Sequence, residues 1–350
     1  MVEPSASSRA DAWRARGAHF SWTSARENTA SVEVFHVELG DPDAPALALV
    51  HGFPTCSIDW FDVAELLSAE YRVCLIDFPG YGFSDKPRGW GYSLRRDAEL
   101  LDHYLAEMVG AESVTMVAHD RGDSVALIHA AEAAEQRTRV GLEHLVLCNA
   151  NIFLPLSNLT DAQRLMLHNP ELLEQLTPEL LAAGMGAVTF TPPRGPQDPE
   201  VLALAATFAH ADGVAVLHET IQYLIERSAD ETKWLRSLAS ATTPTTVIWG
   251  LYDTVAPVRV ATYVWHEHLM LKPGRNAFYL LPGANHYLQN DRPEAFVQVL
   301  RHALDPPEDA PPGALGEGAD SPVLVDCSRT ELPEAAELVA RRAPLPDQGG

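Results

Sequence analysis

The stretch Ser113-Val-Thr-Met-Val-Ala-His-Asp120-Arg-Gly-Asp-Ser124 decides the fold. Ser113 to Val117 is apolar and β-branched, the pattern of a buried strand. From Asp123 onward, Ser-Val-Ala-Leu-Ile-His-Ala-Ala favours a helix. The turn between them has Ala118 two residues before Asp120 and Gly122 two residues after it. A sharp strand-to-helix elbow needs small residues at those two places and carries the nucleophile at its apex. Here the apex is a carboxylate, which needs no deprotonation and attacks a saturated carbon directly. The plain alternative is an Asp that caps a helix N-terminus. The rest of the chain must choose between them.

Three segments bear on that choice. Leu49-Val-His-Gly-Phe-Pro54 closes an apolar strand that starts near Ala46, and its loop has the form of an oxyanion hole. Thr246-Val-Ile-Trp-Gly250-Leu-Tyr-Asp253 is a strand followed by an acid. Phe278-Tyr-Leu-Leu-Pro-Gly-Ala-Asn-His286 is a last strand followed by a histidine. Nucleophile, acid and histidine in that chain order, each after a strand, are the α/β-hydrolase arrangement.

These residues carry a resemblance. His51-Gly-Phe-Pro54, Asp77-Phe-Pro-Gly-Tyr-Gly-Phe-Ser-Asp-Lys-Pro87, Ala118-His-Asp-Arg-Gly122 and Gly283-Ala-Asn-His286 resemble the epoxide hydrolase and haloalkane dehalogenase branch of the α/β-hydrolase superfamily. The longer runs His51 to Trp60 and His119 to Ala126, with Ile221 to Arg227 and Lys233 to Leu238, resemble the bacterial hydrolases similar to the mesoderm-specific transcript protein. The resemblance covers roughly residues 30 to 304. It implies an α/β-hydrolase fold, a mostly parallel, doubly wound sheet with an inserted helical cap.

Strands are predicted at 32–38, 46–50, 72–76, 113–118, 142–148, 245–249 and 277–281, mostly continuous apolar runs suited to a sheet covered on both faces. Leu94 to Val109 has helical spacing. Between about 151 and 238 only helix-prone pieces occur: 161–167, 170–176, 178–183, 199–209 and 214–227. The expected organisation is a flexible leader at 1–16, a core at 17–150 and 239–304, a helical cap at 151–238, and an acidic Pro/Ala-rich tail at 305–350 without fixed structure. Within that tail, 331–342 is the one stretch with helical patterning.

Composition narrows the partners. A chain of 350 residues with 46% hydrophobic and 21% charged residues suits a soluble enzyme with a substantial core. A net charge of −23 disfavours nucleic acid and anionic membranes. The four cysteines, Cys56, Cys74, Cys148 and Cys327, show no metal-binding spacing, and a reduced, cytoplasmic setting is expected. No run reads as a signal peptide or a membrane span. His266-Glu-His268 lacks the spacing of a helical zinc site, so neither metal nor organic cofactor is expected. The expected partner is a small, apolar substrate, and the sequence is compatible with a homodimer.

The expected chemistry runs through a covalent ester. Asp120 attacks a saturated carbon, and His286, oriented by Asp253, activates the water that cleaves the ester. Backbone N–H groups of Phe53 and Arg121 would hold the oxyanion, each donor worth roughly 3–4 kcal/mol. The loop at Asn149 and Asn151 has amides and no carboxylate, which favours Asp253 as the acid. From the resemblance, Tyr223 matches one of two cap tyrosines that protonate an opened epoxide; it is either that donor or a packing residue. Arg121 is either a substrate contact or one half of a salt bridge with Asp123 or a cap carboxylate. Trp60 has a structural role or borders the pocket, and His119 is expected to pack under the elbow. Epoxide hydrolysis to a diol is the expected reaction. Dehalogenation of a haloalkane or haloacid, or ester hydrolysis, is the alternative on the same fold, and a binding protein without catalysis the alternative of another class.

Overall fold

A computed structural model describes residues 8–26, 30–307 and 311–325. The apolar runs come together as one ten-stranded sheet. Its strands are β1 (Gly17–Trp22), β2 (Val32–Leu39), β3 (Ala46–Val50), β4 (Arg72–Ile76), β5 (Ser113–His119), β6 (Gly141–Cys148), β7 (Thr245–Gly250), β8 (Asn276–Leu281), β9 (Gly313–Ala314) and β10 (Val323–Leu324). They lie in the order β1-β2-β4-β3-β5-β6-β7-β8-β10-β9. From β4 to β8 the pairings are parallel, and the two flanks are antiparallel. β3, β5 and β7 are buried nearly end to end, and β6 over its last five residues, as strands covered on both faces must be. This is the α/β-hydrolase fold.

Helices on the core are α1 (Arg9–Arg14), α2 (Phe61–Leu67), α3 (Leu94–His103) and α4 (Arg121–Ala134). Between β6 and β7 come α5 (Asp161–His168), α6 (Pro178–Val188), α7 (Pro199–Ala209), α8 (Leu217–Thr220) and α9 (Tyr223–Ser240). After β7 follow α10 (Val258–Val264), α11 (Leu288–Asp291) and α12 (Pro293–Leu304). Local chemistry sets the sharp starts of the α5–α7 segment. Thr160 and Gln163 form a reciprocal capping box at α5, and α6 and α7 each begin with Pro behind a capping Thr177 or Asp198.

Four expectations need correction. The segment read as a flexible leader contains α1 from Arg9, whose Trp13 is fully buried and donates to Ser57 Oγ at 3.0 Å. Arg9 pairs with Asp62 of α2 at 2.8 Å and with Glu200 of α7 at 2.9 Å, tying core to cap. The segment read as an unstructured tail contributes β10, which pairs with β8, and β9 beyond it. Both features depend on contacts far away in the chain, which local pattern does not encode. The single helix predicted over 214–227 is broken: α8 ends at Thr220 and α9 begins at Tyr223. Finally, 199–220 is helical and apolar enough for a membrane span by length and composition. Its backbone is interrupted at Ala211 (φ 49°) and Asp212 (φ 55°), and half of it is buried inside the protein. Cys327 and the stretch 331–342 lie outside the described residues.

Candidate active site

The nucleophile position is a strained turn. Asp120 stands between β5 and α4 with φ 50° and ψ −109°, a conformation that costs free energy and projects the side chain from the end of the strand. The small neighbour Gly122 is required by close packing: a Cβ there would lie 2.6 Å from the His51 carbonyl oxygen and 2.8 Å from that of Val50. Gly52 is required for the same reason, since its Cβ would lie 2.8 Å from Asp120 Cβ. With both glycines in place, the Phe53 N–H donates to Asp120 Oδ2 at 3.0 Å. Asp120 Oδ1 is buried and has no hydrogen-bond partner among the described residues.

Acid and base arrive on the next loops. Asp253, in the turn after β7, accepts the Val255 and Ala256 N–H groups on Oδ1 at 2.8 and 2.9 Å. Its Oδ2 lies 3.0 Å from His286 Nδ1. With Nδ1 donating to that carboxylate, His286 Nε2 carries the free lone pair. Burial works against charge on His286, but Asp253, and beyond it Asp120 and Asp59, outweigh burial and raise its pKa above the usual histidine value of 6.5. All three predicted residues converge.

The other residues singled out from the sequence fall into different places. His119 lies beneath the elbow, its Nε2 at 2.8 Å from the His286 carbonyl oxygen. Burial and the adjacent His286 hold its pKa down to about 3, so it is neutral. Trp60 is fully buried, its ring packed against those of His119 and Phe296. The Arg121 guanidinium pairs with Asp97 of α3, and with neither Asp123 nor a cap carboxylate. Its Nε and Nη1 are buried without hydrogen-bond partners, and its Cζ lies 5.0 Å from the Tyr81 ring and 5.5 Å from the Tyr223 ring. Tyr223 sits over the oxyanion loop, its ring 5.5 Å from that of Phe53. Its hydroxyl is buried without a partner, and burial first, then the Asp120 charge, pushes its pKa well above 10.

Several contributors were not predicted. Arg227 of α9, fully buried, donates to Ser124 Oγ at 2.8 Å, to the Asn151 carbonyl at 2.8 Å and to the Asp120 carbonyl at 3.2 Å. A cap side chain thus holds the backbone of the nucleophile. Asn149 takes no part as an acid; it fastens the histidine loop, donating to the Asn285 and His286 carbonyls at 2.7 and 2.8 Å and accepting the Gly250 N–H at 2.8 Å. Asp123 is buried, and burial together with the Asp120 charge raises its pKa well above the usual carboxylate value. Arg227 is one of several charged residues of α9, so nothing local singled it out; nothing local pointed to Asp97 either.

Comparison with known proteins gives the family and the fold. Residues 47–299 match the model of the alpha/beta hydrolase family. The chain is 31% identical over 278 residues to the putative hydrolase LipZ of Mycobacterium tuberculosis, covering 79% of this chain and 93% of that one. It is 28% identical to the human mesoderm-specific transcript homolog protein, covering 85% and 88%. Among solved structures, a thermophilic esterase from Thermogutta terrifontis superposes with a TM-score of 0.65 at 21% identity, covering 82% of this chain and 98% of that one. The epoxide hydrolase CorEH superposes with a TM-score of 0.61 at 17% identity, with coverage of 82% and 98%. At such identities the structural likeness establishes the fold alone.

Proposed function

The chain belongs to the alpha/beta hydrolase family, and from that premise we propose that it opens epoxides to diols through an ester on Asp120. The observation that carries this reading is the carboxylate itself. Asp120 fills the elbow apex with one oxygen held by the Phe53 N–H and the other buried and unpartnered. A buried acceptor left unsatisfied is costly. The free oxygen is the one that attacks.

In the first step Asp120 Oδ1 forms a bond to an epoxide carbon while that carbon's ring C–O bond breaks. The departing alkoxide takes the proton of Tyr223, whose hydroxyl has no other partner. Arg121 and Arg227, with Cζ atoms 5.5 and 4.9 Å from the Tyr223 ring, offset the charge left on the phenol, which later recovers a proton from solvent. In the second step His286 Nε2 removes a proton from water as the oxygen attacks Asp120 Cγ. The oxyanion forms on Asp120, held by Phe53 N–H and the Arg121 N–H that opens α4. Collapse breaks the Cγ–Oδ1 bond, the imidazolium protonates the departing alkoxide to give the diol, and Asp120, regenerated as the acid, releases its proton to solvent. A haloacid carboxylate would compete with Asp97 for Arg121.

The test is intact-mass spectrometry of the His286→Gln protein incubated with epoxides, haloalkanes, haloacids and esters. Removing the base leaves attack possible and stops ester hydrolysis. An adduct equal to the mass of an epoxide, mapping to Asp120, is expected. A folded protein that gains no mass from any epoxide overturns the reading, and an adduct from which halide has been lost reassigns the substrate.

A further inference from the structure

Two cavities on the cap side of His286 adjoin and share part of their wall. The inner, of about 70 Å³, is bounded by Phe53, Pro54, Val255, His286 and Tyr287. The outer, of about 420 Å³, is an open groove between α5 and α6. Thr160, Ala162, Met166, Leu181, Met185 and Thr189 line both, so the wall is continuous from the protein surface to the catalytic imidazole. The hydroxyls of Thr160 and Thr189 on the shared wall are already engaged. Thr160 Oγ1 accepts the Gln163 N–H at 3.1 Å, Gln163 Oε1 accepts the Thr160 N–H at 2.8 Å, and Thr189 Oγ1 donates to the Met185 carbonyl at 2.8 Å.

The outer lip is unusual. Leu165, Leu180 and Val188 all line the groove and remain 42%, 61% and 52% exposed. Contiguous apolar surface of this kind marks a site that something apolar covers. The volume of the outer groove falls within the range of ligand sites, and the narrow inner cavity admits only a slim group. We propose that the two cavities form one passage, which holds the unbranched hydrocarbon chain of a lipophilic substrate whose reactive end lies at Asp120. This names the substrate class for the chemistry given above and rests on that reading for the position of the reactive carbon.

The test separates the two. Isothermal titration calorimetry with the unreactive series n-butanol to n-decanol measures the groove without any chemistry. Affinity is expected to rise about fourfold per methylene until the chain outgrows the groove. Gly184 lines the outer groove, and a Cβ there would meet no atom within 4 Å. Gly184→Trp therefore projects into the groove and flattens the slope. Leu180→Lys, at an exposed position that tolerates charge, weakens the long alkanols more than the short ones and serves as the check where Gly184→Trp fails to fold. Affinity that does not depend on chain length, or a wild-type slope in folded variants of both kinds, overturns the proposal. A chain-length slope with no adduct on His286→Gln leaves the groove standing and removes Asp120 alkylation; an adduct with a flat slope does the reverse.

Discussion

The core face and the cap face of this active site are built by different means. On the core face each reactive group is fixed by short polar contacts: Asp253 by two backbone N–H groups, Asp120 by the Phe53 N–H, and the histidine loop by Asn149. On the cap face the walls of the groove are leucine, methionine and alanine, and several of them are exposed. Polar ties spread along the junction join the cap to the core. Arg227 reaches the Asp120 carbonyl, Asn285 Nδ2 donates to the Val188 carbonyl at 2.9 Å, Glu226 accepts the Leu94 N–H at 2.8 Å, and Arg9 bridges Asp62 and Glu200. Directional contacts hold the atoms that react, and non-directional contacts hold the part of the substrate that only needs a dry place.

That contrast is most exposed to failure at Asp253. Replacement by Asn keeps the shape and removes the charge that orients His286, and the expected loss in kcat is about 10⁴-fold. The pH profile gives the sign. His286 must be neutral to take a proton, and its pKa lies above 6.5 because of Asp253. Activity therefore falls as pH drops through that raised value, and Asp253→Asn moves the acid limb of kcat to lower pH. The same pair contributes stability that is complete below about pH 6.5 and is lost as pH rises through the folded value. An acid limb that stays in place after substitution would mean that another group holds His286.

A smaller effect is expected at Arg227, which belongs to the cap by sequence and to the core by function. Arg227→Met leaves the Asp120 carbonyl, the Asn151 carbonyl and Ser124 Oγ without this donor. The expected cost is about 2–4 kcal/mol of stability in chemical denaturation. A misplaced nucleophile adds a fall in kcat on the order of 10²-fold. Lost stability with unchanged kcat would return Arg227 to the cap and sharpen the division between the faces.

The smallest effect is expected at Arg9. Arg9→Ala loosens the seat of α7 on α2 and lowers stability by about 1–2 kcal/mol, seen as a lower Tm. Chemistry at Asp120 should not change, since Arg9 touches none of the reacting groups. A drop in kcat comparable to that of Arg227→Met would show that the seating of the cap, rather than direct contact, positions the elbow.

How much could be read from the sequence follows the same line. The elbow, the HGFP loop and the positions of Asp253 and His286 were legible because each is a local strand-and-turn pattern with small residues at fixed offsets. The parallel strands were legible because they are continuous apolar runs. Trp60, Arg121 and Arg227 were not, because their roles depend on which side chain lies opposite after folding: His119 and Phe296, Asp97, and the Asp120 carbonyl. β1, β9 and β10 escaped for a related reason. Two-residue strands carry no periodicity, and Gly17–Trp22 gains its meaning only by pairing with β2.

The hairpin of β9 and β10 has a consequence for association. An unpaired strand edge is a template on which another chain can add. Along β8 that template is occupied from within the same chain, at Val323 against Leu280 and Leu324 against Tyr279, and the sheet then stops at the two-residue β9. Among the described residues the long free edge is β1, at the opposite margin. Among the described residues, growth of the sheet from one molecule into the next, as a paired assembly or as an aggregate, thereby finds its longer template on the β1 side.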